Sequence, residues 1–106
     1  MNIEKQLPTP HGEIHIEGTC DSAFSDVLQE FELNFTERGE VGAAVAVTQN
    51  GTSVVDVWGG IADAELGRAW ERDTMPVVWS STKGATSICL HVLASRGQLD
   101  LDAPVS

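Results

Sequence analysis

Basic residues are scarce in this chain of 106 residues: six Lys and Arg stand against 16 Asp and Glu, giving a formal charge of -10 at pH 7. Nucleic acid and anionic lipid bind through clustered cations, so neither is expected as a partner. Tyrosine is missing altogether, so no step that calls for a phenol hydroxyl has its group here. The two cysteines, Cys20 and Cys89, lack the Cys-x-x-Cys spacing of metal and redox sites, and both are expected to be buried free thiols. No apolar run approaches the length of a membrane span. The opening residues, Met1 to Gln6, lack the basic stretch and apolar core of an export signal. A cytoplasmic address is the resulting expectation.

What is present has the balance of an ordinary globular chain, with 42% hydrophobic and 21% charged residues, and one domain at most is expected. Acids such as Glu13, Asp26, Glu32 and Glu40 are spread through the first half rather than blocked, which reads as a solvated surface. A chain this short buries only a modest share of its surface, so a deep, walled site is hard to build from it alone.

Residues 1–12 carry Pro8, Pro10 and His11-Gly12, a combination that favours an extended arm over regular structure. Glu13 to Glu17 alternates polar and apolar residues as a short half-exposed strand does, with Gly18 ending it. Asp21 or Ser22 is placed to cap a helix whose Phe24, Val27, Leu28, Phe31 and Phe35 share one face. Gly39 stops that helix. Two strands follow, Val41 to Gln49 and Thr52 to Trp58, joined by Asn50-Gly51, a strong hairpin signal because both turn residues tolerate positive φ. Pairing Gln49 with Thr52 predicts Ala43, Val45 and Val47 on the face of Val54, Asp56 and Trp58, with Ala44, Ala46, Val55 and Val57 opposite. Both faces are then mostly apolar, and such a hairpin belongs in a sheet covered on both sides. After a polar connection through Gly59-Gly60 and Arg72, a second helix is expected from Ser80 to Arg96, apolar over most of its circumference and so buried, with Gly97 terminating it.

The chemistry concentrates in Trp79-Ser80-Ser81-Thr82-Lys83-Gly84. A serine hydroxyl is a poor nucleophile until a neighbouring base takes its proton. On a helix, position i+3 lies one turn away, so the amine of Lys83 can stand beside the hydroxyl of Ser80. Burial favours the neutral, proton-accepting form of a lysine. A nucleophile at a helix N-terminus also gains from unpaired N–H groups and the positive end of the dipole. Ser-x-x-Lys alone is a weak signal, since a capping serine followed by a solvated lysine gives the same letters. The apolar helix that it opens here raises its weight. Catalytic candidates are therefore Ser80 and Lys83.

Rival sites are poorer. No Gly-x-Ser-x-Gly elbow occurs, and His91 stands eleven residues along the helix from Ser80, roughly 16 Å away. His11 and His15 have His-x-x-x-His spacing without the Glu that the zinc motif needs after its first His. No metal and no cofactor is expected. The tryptophans Trp58, Trp70 and Trp79 read as packing residues.

Taken together, several stretches resemble the serine β-lactamase and penicillin-binding-protein superfamily, and most closely its class C β-lactamase-like esterases, the class VIII carboxylesterases. They are Phe35 to Gly39, Gly42 to Val47 with Val55 to Gly60, Trp70 to Thr74, Ser80 to Gly84, and Arg96 to Val105. The resemblance implies an α+β fold: the N-terminal part of a domain with an antiparallel sheet flanked by helices, over 13–106 here. It implies a small-molecule ester or amide substrate attacked by Ser80, with Lys83 as its partner and the Ser80 backbone N–H in the oxyanion hole. The family completes its site with a Tyr-x-Asn or Tyr-x-Ser element and a Gly-containing element on a C-terminal strand, neither of which is in this chain. Carboxylic ester hydrolysis by a longer protein is the first expectation, with this chain inactive alone. β-Lactamase, DD-peptidase or D-aminopeptidase activity is the alternative, and a non-catalytic binding module the third.

Overall fold

The computed structural model describes residues 1–105. Its element order is β1 (Asn2–Thr9), β2 (Gly12–Cys20), α1 (Ser25–Glu37), β3 (Gly42–Gln49), β4 (Thr52–Asp63), β5 (Arg68–Ala69) and α2 (Thr82–Ser95). The chain divides into two compact units, Met1–Thr74 and Met75–Ser106.

The first unit is a sheet with one helix against it. The strand order is β1-β2-β4-β3, with the short β5 pairing to β4. All these pairings are antiparallel, in line with the α+β expectation. The 1–12 segment departs from the sequence reading: it is no arm but strand β1, in register with β2 from Asn2 opposite Thr19 to Thr9 opposite Gly12. Pro8 is tolerated because β1 is an edge strand, where a missing N–H leaves no ladder partner unsatisfied, and Pro10 lies in the turn that follows Thr9. Its apolar Ile3 and Leu7 reach the core, an alternation that the prolines mask. Strand β2 likewise runs past Gly18 to Cys20, because Gly18 pairs with Val57 and Cys20 with Val55.

Helix α1 is preceded by a single 3-10 turn over Ser22–Phe24, whose cap is Asp21 accepting from the Ala23 N–H at 2.9 Å. The helix buries Leu28, Phe31 and Phe35, and Phe31 meets Phe35 edge-on with ring centroids 5.2 Å apart. With Ile3, Ile14, Ile16, Cys20, Val55 and Val57 they form the core. Each such side chain removed from water contributes about 1.5–3 kcal/mol. Lys5 reaches from β1 to Glu32 on α1, Nζ to Oε1 2.6 Å.

The Asn50-Gly51 turn forms as expected, with φ of 51° and 78°, and Gln49 does pair with Thr52. The faces, however, are regrouped. A bulge between Val47 and Thr48 shifts the pairing, so Val47 lies opposite Val55, Val45 opposite Val57 and Ala43 opposite Gly59. One extra residue in a ladder exchanges every side chain beyond it between faces. Val45, Val47, Val55 and Val57 thus share the core side. The opposite face carries Ala44, Ala46, Asp56 and Trp58, and there Arg72 bonds Asp56 at 3.4 Å and stands 5.9 Å from the Trp58 ring centroid. That face is more polar than the unbulged pairing predicts.

Strand β4 also continues through Gly59-Gly60 to Asp63 instead of ending at Trp58. At Gly60, φ is 88° and a Cβ would lie 2.7 Å from Phe35 Cε1. Only glycine lets the strand pass that close to the Phe35 ring.

Candidate active site

The second unit, Met75–Ser106, carries Ser80 and Lys83. Ser80 does not open the α-helix itself. It occupies a 3-10 turn, Trp79–Ser81, that leads into α2 at Thr82. The first backbone bond of this turn runs from the Ser81 N–H to the Val78 carbonyl at 3.1 Å. The helix ends as expected at Gly97, whose N–H donates to the Ala94 carbonyl at 2.9 Å, while Gln98 N–H donates to Leu93 at 3.0 Å.

The pair predicted from spacing is brought together: Lys83 Nζ donates to Ser80 Oγ at 2.8 Å. The geometry is local, since three residues of helical advance put the two side chains one turn apart. Both residues are exposed in this chain. Thr82 and Ser87 are outside this contact; the Thr82 carbonyl instead accepts from Thr86 Oγ1 at 3.3 Å.

Burial is where the sequence reading of this helix fails. Ile88 is 65% exposed, Leu90 46% and Cys89 exposed, and α2 has no buried residue. Cys20 is buried as expected. The reason is stoichiometric: within the 32 residues of this unit α2 is the sole long element, and a helix apolar on most sides needs neighbours on most sides. Among the described residues no group of His, Cys, Asp and Glu is arranged to hold a metal, and no helix is long and apolar enough to cross a membrane.

One feature near the pair has no sequence signal at all. Trp79 has a φ of 47°, in the left-handed region that bulky residues rarely adopt, and nothing in a tryptophan's chemistry announces it.

Comparison with known proteins agrees with the family resemblance. The β-lactamase family model matches residues 21–106. The esterase/β-lactamase LipL of Mycobacterium tuberculosis is 43% identical over 84% of this chain, and the esterase EstB of Burkholderia gladioli is 37% identical over 72% of it. A crystal structure of a family VIII carboxylesterase superposes with a TM-score of 0.78 over 83% of this chain, at 41% identity. The matched regions make up 21% and 19% of the two curated relatives and 24% of the crystallised chain; the chain thus spans about a fifth to a quarter of their length. With residues 21–106 matched by the family model and a 43% identical relative aligned over 84% of its length, the chain belongs to the β-lactamase family of esterase/β-lactamase-like hydrolases.

Proposed function

We propose that the full-length protein is a serine hydrolase that cleaves carboxylic esters through an acyl-Ser80 intermediate, and that these residues are the N-terminal part of its domain. The observation that carries this reading is the 2.8 Å contact between Lys83 Nζ and Ser80 Oγ, in a chain similar to proteins named as esterases.

The chemistry follows from that contact. With its amine unprotonated, Lys83 Nζ takes the hydroxyl proton as Ser80 Oγ attacks the ester carbonyl carbon. The carbonyl π electrons move onto oxygen, and the Ser80 backbone N–H, ahead of the turn's first hydrogen bond, is a donor for that oxyanion. Collapse expels the alcohol, which receives the proton, and leaves the acyl group on Ser80. Water then attacks the acyl carbon, releasing the carboxylic acid and restoring the serine. The remainder of the protein supplies a tyrosine, which this chain lacks, and the cover over α2.

The experiment is hydrolysis of short-chain p-nitrophenyl esters by the full-length protein, with Ser80→Ala and labelling by a fluorophosphonate probe. Ester turnover and labelling that both vanish in Ser80→Ala are expected. Labelling that survives the substitution removes the nucleophile assignment. A β-lactamase reading has one observation in its favour, the dual name of the Mycobacterium tuberculosis relative; nitrocefin hydrolysis exceeding ester hydrolysis would put it first.

A further inference from the structure

The two outer strands of the sheet differ in kind. Among the described residues, β1 and β3 stand at opposite ends of the strand order. Strand β3, Gly42 to Gln49, has no charged residue and no proline. Strand β1 holds Glu4, Lys5 and Pro8 within eight residues. An outer strand offers unpaired N–H and C=O groups to any chain that can lie beside it, so what β1 places there decides whether the sheet can grow.

The register shows which groups face outward. Met1 and Cys20 exchange both of their backbone bonds, Met1 N to the Cys20 carbonyl and Cys20 N to the Met1 carbonyl, each at 3.0 Å. In an antiparallel ladder such pairs alternate with pairs that do not bond each other. Continuing from Met1 along the unbroken register with β2, Ile3, Lys5, Leu7 and Thr9 bond to β2, while Asn2, Glu4, Gln6 and Pro8 turn their main-chain groups outward. Pro8 thus fills one of the four outward positions and has no N–H to offer. Lys5 acts through its side chain. It stands between Ile3 and Leu7, which both reach the core, and its Nζ meets Glu32 Oε1 of α1 at 2.6 Å. A strand laid along β1 would cover that partly exposed ion pair, and taking it out of water carries a desolvation cost.

The β-lactamase family model matches from residue 21 onward, so β1 and β2 lie ahead of the matched stretch. Strand β2 occupies the edge of β4 from Val55 to Gly59, where Val55 and Val57 are fully buried. The added hairpin therefore replaces an apolar outer edge with one that carries an inward-pointing charge and lacks a donor.

We propose that β1 is the guarded end of the sheet: in the full-length protein no strand pairs beyond it, and Lys5 and Pro8 keep other copies of the protein from adding there. The proposal is independent of the hydrolase reading, since no residue of β1 belongs to the catalytic machinery described above.

The first test is amide hydrogen exchange of the full-length protein, resolved by residue. Lys5 and Leu7 are expected to exchange at least about 10-fold more slowly than Glu4 and Gln6, after correction for intrinsic rates. Equal protection of all four overturns the proposal, because it means that a strand lies beyond β1. The second is mass by light scattering for Lys5→Val with Pro8→Val, which completes an apolar row from Ile3 to Leu7 and restores the outward N–H. This variant is expected to form larger species than the parent as concentration rises, with the Glu4 and Gln6 amides gaining protection. Its far-UV circular dichroism should match the parent's when dilute, which separates edge pairing from misfolding. A mass equal to the parent's at every concentration overturns the guarding role. If the double variant does not fold, Pro8→Val alone, which keeps the Lys5–Glu32 pair, is expected to show a weaker form of the same association, and its absence overturns the proposal.

Discussion

Met1–Thr74 holds every buried hydrophobic residue of the described chain, and Met75–Ser106 holds none. Yet the contact proposed to carry the chemistry, Lys83 to Ser80 at 2.8 Å, lies in the second unit. The contrast separates two kinds of order. The first unit is held by long-range pairing, with strands distant in sequence brought side by side and covered by Leu28, Phe31 and Phe35 of α1. In the second, order is local: a helical repeat and one turn bring together residues three apart. A reactive pair needs only the latter to form, but it needs the former to work in a dry, pre-organised site.

The largest effect expected from breaking this contrast is chemical. In the full-length protein, Ser80→Ala should lower kcat/KM for a p-nitrophenyl ester by at least about 10⁴-fold, and Lys83→Ala by a comparable factor, because residues that act as one unit fail together. The double variant should be little worse than either single one, and additive losses measured by steady-state kinetics would show that the two act separately. The 106-residue chain by itself, assayed with the same esters, should give no Ser80-dependent turnover; measurable turnover would mean that local order suffices.

Next in size are the packing effects. Phe35→Ala removes a fully buried ring that α1 sets against the sheet and should cost about 3–5 kcal/mol in urea unfolding. Gly60→Ala should cost about 3 kcal/mol, since a methyl group there meets Phe35 and the Val41 carbonyl at a positive φ. The second unit should respond differently. Leu90→Ala is expected to change the stability of the isolated chain by less than about 0.5 kcal/mol, as exposed substitutions do, and to cost about 2–5 kcal/mol in the full-length protein, where α2 is proposed to be covered. A large loss in the isolated chain would erase the contrast between the units.

The smallest effect concerns the polar face of the sheet. Arg72, 75% exposed in its side chain, pairs with Asp56 at 3.4 Å and lies over Trp58. Arg72→Ala should lower the thermal stability by no more than about 1 kcal/mol, the ordinary worth of an exposed pair with a cation–π contact.

Much of this was legible in the letters because it depends on neighbours in sequence. Asn50-Gly51 announces its turn through the φ values its residues accept; the Phe31 and Phe35 spacing announces the buried face of α1; Ser80 and Lys83 announce each other through the helical repeat. The misreadings share a different cause. That β1 is a strand follows from β2 lying beside it, and two prolines conceal the alternation of Ile3 and Leu7. The bulge at Val47 and Thr48 leaves no mark in composition, yet it decides that Val55 and Val57, not Asp56 and Trp58, share the core side with Val45 and Val47.

For this protein, then, the amino-acid sequence by itself determined the Leu28, Phe31 and Phe35 face of α1, the hairpin turn and the pairing of Ser80 with Lys83, because each is set within a few residues by backbone preference and periodicity. Tertiary structure alone decided the edge strand, the exchange of sheet faces and the close passage of Gly60 by Phe35, because these depend on which distant segments meet. It also decided the left-handed backbone of Trp79. No local preference of tryptophan calls for that conformation, and it persists only where the surrounding chain holds it.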